Sequence, residues 1–124
     1  MKPLDAARLR HEIDTAESGT TGRIGVRVLV QSTPDALEAA RAQFHEAGLH
    51  GQPERNAVLF LVAPKVKRFA VFGGEAIHER VGDEFWSQLV IDMAPYFVKN
   101  RPTDGLALGI ARVGDQLRRH FPSP

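Results

Sequence analysis

The chain has 124 residues, 43% of them hydrophobic and 25% charged, which suits one domain able to bury its own core without metal or disulfide staples. Its 16 Lys and Arg against 15 Asp and Glu leave a formal net charge of +1, so the composition supplies no global attraction to nucleic acid or to a membrane surface. With no Cys in the sequence, a disulfide framework and thiolate chemistry are excluded.

The N-terminal stretch MKPLDAARLRHEID is interrupted by charges and has no apolar core of the kind a secretory signal carries. No segment approaches the roughly 18 apolar residues of a membrane span. The expectation is a soluble cytoplasmic domain without membrane insertion. Asp5 can cap a first helix, whose apolar stripe is Leu9, Ile13 and Ala16. After Ser18-Gly19, residues 23–31 alternate: Ile24, Val26, Val28 and Val30 share one face, while Gly25, Arg27, Leu29 and Gln31 share the other. That period of two, carried by β-branched residues, predicts a strand.

Thr33-Pro34-Asp35 predicts a helix start, with Thr33 as N-cap, Pro34 in the first helical position and Asp35 against the positive end of the dipole. Leu37, Ala40, Phe44 and Ala47 would form its buried stripe, and Gly48 would stop it. Two apolar runs follow, Ala57 to Ala63 and Phe69 to Phe72, joined by Pro64-Lys65-Val66-Lys67. Seven consecutive apolar residues read as a strand covered on both faces, and the short Pro-containing link makes the pair an antiparallel hairpin. A strand, a helix and a strand in that order imply a right-handed parallel crossover, so the sheet is mixed. Beyond Gly73-Gly74 a short helix through Glu75–Arg80 should stop near Gly82. Asp83 should then cap a longer one with the stripe Trp86, Leu89, Val90, Met93 and Phe97, bent or ended early by Pro95. The last helix repeats Leu106, Ile110, Val113, Leu117 and Phe121, with Gly109 and Gly114 allowing close approach of a neighbour. The predicted architecture is a single domain over 1–124, a three-layer α/β/α sandwich with helices on both faces of a small mixed sheet.

Candidate chemistry gathers at the strand ends. The turn Gly73-Gly74-Glu75-Ala76-Ile77-His78 can present backbone N–H groups to an anion, or its glycines can simply supply a strand-to-helix connection. Asn56, Asp83 and Glu84 could lend oxygens to a hard cation such as Ca²⁺, although Asp83 and Glu84 are equally explained by capping and by the helix dipole. His78 and Asp83 are the candidates for acid–base work, and Arg55 for holding a phosphate, with Asn56 beside it. Five histidines without a metal-binding spacing argue against zinc, and no nucleophile elbow is present. The basic end of the last helix, Arg112, Arg118, Arg119 and His120, suits the dipole better than it suits nucleic acid.

Four pieces, AESGTTGRIGVRVLV (16–30), ERNAVLFLVA (54–63), RFAVFGGEAIHERVGDEFW (68–86) and DGLALGIARVGDQLRRHFP (104–122), carry a resemblance to the TPM domain family over nearly the whole chain. The founding member of that family is described as a thylakoid lumen phosphatase, and the short soluble bacterial branch is the most similar. The resemblance implies an α/β/α sandwich with a mixed, roughly four-stranded sheet, of which three strands are evident from the residues. It also implies a choice of functions: acid phosphatase activity, calcium binding, or, in membrane-tethered members, modulation of larger complexes. Where the family often has Gly-Glu, Asp-Asn and Gly-Asp, this chain has Gly22-Arg23, Arg55-Asn56 and Gly73-Gly74. Each departure removes a carboxylate near the expected cleft, and with it support for metal-assisted phosphatase chemistry. The expectation is therefore a non-enzymatic binding or accessory domain using Arg55, Asn56, Gly73 and Gly74 to contact an ion, a peptide or a protein partner such as a membrane-anchored paralogue. A weak, acid phosphatase-type hydrolase is the alternative.

Overall fold

The computed structural model describes residues 1–124, and its architecture grows from the seven-residue apolar run. Ala57–Ala63 forms the central strand of a three-stranded sheet and is buried along its whole length. Arg23–Val28 (β1) pairs with this strand (β2) in parallel, and Arg68–Gly73 (β3) pairs with it antiparallel, in the order β1-β2-β3. The hairpin link is a 3-10 turn, Pro64–Val66, closed by Lys67 in the left-handed region at φ 53°.

Alternation along β2 separates two cores. Val58, Phe60 and Val62 face Ile24, Val71 and three helices: α1 (Ala6–Glu17), α3 (Glu75–Val98) and α4 (Pro102–His120). Ala57, Leu59 and Leu61 face the opposite way, toward α2 (Ala36–Glu46) and the 3-10 turn Leu49–Gly51. Helices therefore cover both faces, as expected. The glycines of α4 set the helix spacing: a Cβ on Gly109 would lie 2.7 Å from Met93 and from Phe60, and one on Gly114 would lie 2.7 Å from Ala16 of α1. Asp5 caps α1 by accepting from the Arg8 N–H at 3.0 Å, and Leu9, Ile13 and Ala16 are its buried residues.

Several expectations need correction. The sheet has three strands, without the fourth that the family resemblance implied. β1 stops at Val28 instead of Gln31, and Val28 and Val30 are exposed, because this edge strand outruns the helices that would cover it. Asp35, not Thr33, caps α2, accepting from the Glu38 N–H at 3.1 Å, while the Thr33 hydroxyl folds back onto the Asp35 backbone. The buried face of α2 is Ala36, Ala40 and Phe44, so Leu37, expected inside, is 56% exposed, and Ala47 is exposed as well. Gly82 breaks α3 as predicted, at φ 79° and ψ 168°. Leu89 and Met93 are buried but Val90 is not. Pro95 does not end the helix, which continues to Val98; the proline and Ile91, one turn before it, both lie on the exposed side. No helix is long and apolar enough to cross a membrane.

Candidate functional site

A concavity of about 720 Å³ opens where the C-terminal end of β3 meets α2 and the first half of α3. Its apolar lining includes Leu37, Phe44, Leu49, Phe72 and Trp86, and its polar lining includes Arg55, Glu75, His78 and Asp83. Gly73 and Gly74, expected beside them, form part of the same wall. Asn56 and Glu84 do not line it.

The glycine turn has a local explanation. Gly74 has ordinary extended angles, φ −64° and ψ 167°, so no unusual φ demands glycine here. A Cβ, however, would lie 2.7 Å from the Arg55 carbonyl oxygen. Arg55 is left-handed, at φ 52°, and its carbonyl accepts from the Ala76 N–H at 3.0 Å and the Ile77 N–H at 3.4 Å, while the Gly74 N–H donates to Ala57 at 2.8 Å. A main-chain carbonyl thus caps α3, satisfying donors that would otherwise be orphaned at a helix start. The expected anion cradle is largely filled from within the chain. Gly73 answers a different need: a Cβ there would lie 2.6 Å from the Trp86 ring, which rests against the glycine. The Arg55 guanidinium reaches Glu75 at 2.7 Å, a pair exposed on both sides and therefore weak.

His78 and Asp83 do come together, across the Gly82 break. The indole N–H of Trp86 donates to Nδ1 of His78 at 2.9 Å, and Nε2 of His78 lies 3.1 Å from the Asp83 carboxylate. An Nδ1 that accepts cannot carry a proton, so the neutral ring holds its proton on Nε2 and donates it to Asp83. Both ring nitrogens are thereby hydrogen-bonded within the chain. The Trp86 contact escaped sequence reasoning because nothing in the apolar stripe indicates where an indole N–H will end.

Asn56 is fully buried on the side of the β1 and β2 starts. Its Nδ2 donates to Thr21 Oγ1 at 3.0 Å and to Glu54 Oε2 at 3.1 Å, while its Oδ1 has no hydrogen-bond partner in the chain. Thr21 also donates to the Glu54 carboxylate. This set offers one carboxylate, whereas Ca²⁺ takes six to eight oxygens, several of them usually carboxylate. No three His, Asp or Glu side chains converge anywhere in the chain to hold a metal. With Asn56 turned away from the cleft that Asp83 lines, the residues do not fit the calcium site that the resemblance implied.

Carboxylates held below their ordinary range lie elsewhere, on the helices. The Arg8 and Arg101 guanidiniums hold the Asp104 carboxyl below the usual carboxylate range, and Arg112 with the Gln88 amide does the same for Asp92. These pairs join helices and do not touch the cleft.

Fold and cleft together define a three-layer α/β/α domain with an apolar hollow beside the free edge of its sheet. The TPM domain model matches residues 1–116, and the chain belongs to that family. Among solved structures it is similar to the BA42 protein of the psychrophilic bacterium Bizionia argentinensis, with a TM-score of 0.85 and 29% identity over 98% of this chain and 86% of that one. The N-terminal domain of a P. gingivalis protein shares the fold at a TM-score of 0.80 and 16% identity, covering 98% of this chain and 82% of that one. So does the N-terminal domain of the cg2496 protein of Corynebacterium glutamicum, at 0.72 and 14%, over 100% and 78%. No curated protein matches the chain.

Proposed function

We propose that this TPM domain is a non-catalytic binding module whose cleft between α2 and α3 receives a peptide or protein partner. The observation that carries this reading is the state of the polar groups in the cleft. His78 is held between Trp86 and Asp83, Arg55 is paired with Glu75, and the helix start is capped by a carbonyl of the chain itself. What remains to contact a ligand is mostly apolar: Leu37, Phe44, Leu49, Phe72 and Trp86. Phosphoryl transfer needs positioned cations for the developing charge and a free base or nucleophile; here Arg55 already faces Glu75 and His78 is hydrogen-bonded at both nitrogens, which favours binding over turnover.

The test is turnover of an aryl phosphate by extensively purified protein, with and without Ca²⁺ and Mg²⁺, beside Arg55→Ala, His78→Ala and Asp83→Ala. No variant-dependent turnover is the expected outcome. Activity that persists through purification and disappears in these variants would overturn the binding reading in favour of a hydrolase.

A further inference from the structure

The free edge of β3 is unusual in what it lacks. β3 has a neighbour only on its β2 side, so alternate residues of Arg68–Gly73 direct their N–H and C=O groups outward. No loop backbone and no side chain of the chain hydrogen-bonds to these residues outside the β2 ladder. The opposite edge is treated differently, since the Ile24 N–H of β1 is taken by the Glu17 carboxylate at 2.8 Å. Exposed sheet edges are ordinarily blocked in some such way, because they template further pairing.

The β3 edge is also overhung. Ala70 and Val71 lie on an outermost strand yet are only 6% and 7% exposed. The start of α2 stands over one face and the part of α3 beyond Gly82 under the other. A second hollow of about 950 Å³ continues the first, so that the trough follows β3 from Lys67 to Gly74. Three of the chain's exposed large hydrophobic residues, Leu37, Val90 and Ile91, stand on its lips. At the hairpin end are Lys65, Lys67 and Arg68, none of which has an ion-pair partner.

We infer that this edge accepts an extended peptide segment of another protein as a fourth strand, a proposal that rests on the binding reading above. Main-chain hydrogen bonds would supply the ladder, and alternate apolar side chains would divide between the Leu37 wall and the Trp86–Ile91 wall. The charge at the hairpin fixes the chemistry of the occupant: an alternating apolar segment with Asp or Glu at the end beside Lys67 and Arg68. A single extended strand brings no helices of its own to the two walls. A second copy of this chain would bring its own α2 and α3 walls against them and hold the two recessed edges apart.

The probe is a fluorescent peptide of about ten residues, long enough to span the roughly 20 Å of the strand. Its Val, Leu and Phe residues alternate with Thr, and two Asp stand at one end. Binding is followed by polarisation and by amide NMR. Binding should shift the amides of residues 68–74 and slow their hydrogen exchange. N-methylation of alternate peptide amides should weaken it on the order of tenfold by removing the ladder. The charge reversal K67E/R68E, checked by thermal melting for an intact fold, should weaken the Asp-ended peptide about tenfold and favour a Lys-ended one. Equal binding of the N-methylated peptide would overturn strand addition while leaving the cleft as a binding site. No shift at Leu37, Trp86 or residues 68–74 with any alternating peptide would overturn both readings. Protection of β3 that grows with protein concentration alone, with a dimer mass, would make a second copy the occupant and refute the peptide.

Discussion

Gly74→Ala separates the two meanings of the glycine turn. Because φ and ψ at this position suit any residue, alanine carries no conformational penalty. It gains roughly 0.4–1 kcal/mol through the unfolded state. Against this, its Cβ would sit 2.7 Å from the Arg55 carbonyl oxygen and 3.0 Å from the carbonyl carbon, and these are main-chain atoms without a rotamer to yield. Overpacking of this kind costs about 1–3 kcal/mol. Pushing the carbonyl away also weakens its bonds from the Ala76 and Ile77 N–H groups, at roughly 1 kcal/mol each. The net loss is about 2–4.5 kcal/mol, or a fall in melting temperature on the order of 10 °C for a chain of this size. Thermal melting by circular dichroism, with urea titration to confirm an unchanged slope, measures it. If Gly74→Ala melts at or above the wild type, the carbonyl cap is not why glycine is there. An accompanying loss of phosphate-induced amide shifts would restore the anion cradle.

Two further outcomes follow from named pairs. Asp104 is held below the ordinary carboxylate range by Arg8 and Arg101, so its contribution to stability is present above the unfolded value and is lost as pH falls through the depressed folded one. Asp104→Asn should therefore flatten the decline in melting temperature below about pH 4, and parallel declines would refute the assignment. Trp86 is the only tryptophan, and its indole N–H donates to Nδ1 of His78. His78→Leu removes that acceptor, so the tryptophan emission maximum should shift relative to the wild type; an unchanged emission spectrum in that variant would refute the pairing.

How the elements are laid out was legible wherever one residue type has one structural use. A seven-residue apolar run can only be a strand covered on both faces or a buried helix segment, and the Pro and Gly residues flanking it decide for the strand. The spacing of Leu106, Ile110, Val113 and Leu117 and the Gly82 break follow the same logic. The contact of His78 with Asp83 across that break was not legible: both were candidates for acid–base work, but nothing in the spacing paired them. On α2, likewise, Leu37-Ala40-Phe44-Ala47 and Ala36-Ala40-Phe44 fit a helical face equally well, and only the sheet beneath selects the second. Leu37 then reads as a core residue in sequence and stands on the lip of a trough in space.

The sequence by itself determined the mixed α/β sandwich, the central strand, the Gly82 break and the family, because those depend on periodicity and on backbone chemistry local to each segment. Tertiary structure alone decided that Gly74 makes room for the Arg55 carbonyl, that Asn56 turns away from Asp83, and that both nitrogens of His78 are engaged. It also decided that the β3 edge stays open between two walls. Each of these depends on where groups distant in sequence finally meet: backbone carbonyls and indole N–H groups are common to every chain, and only their placement gives them a role.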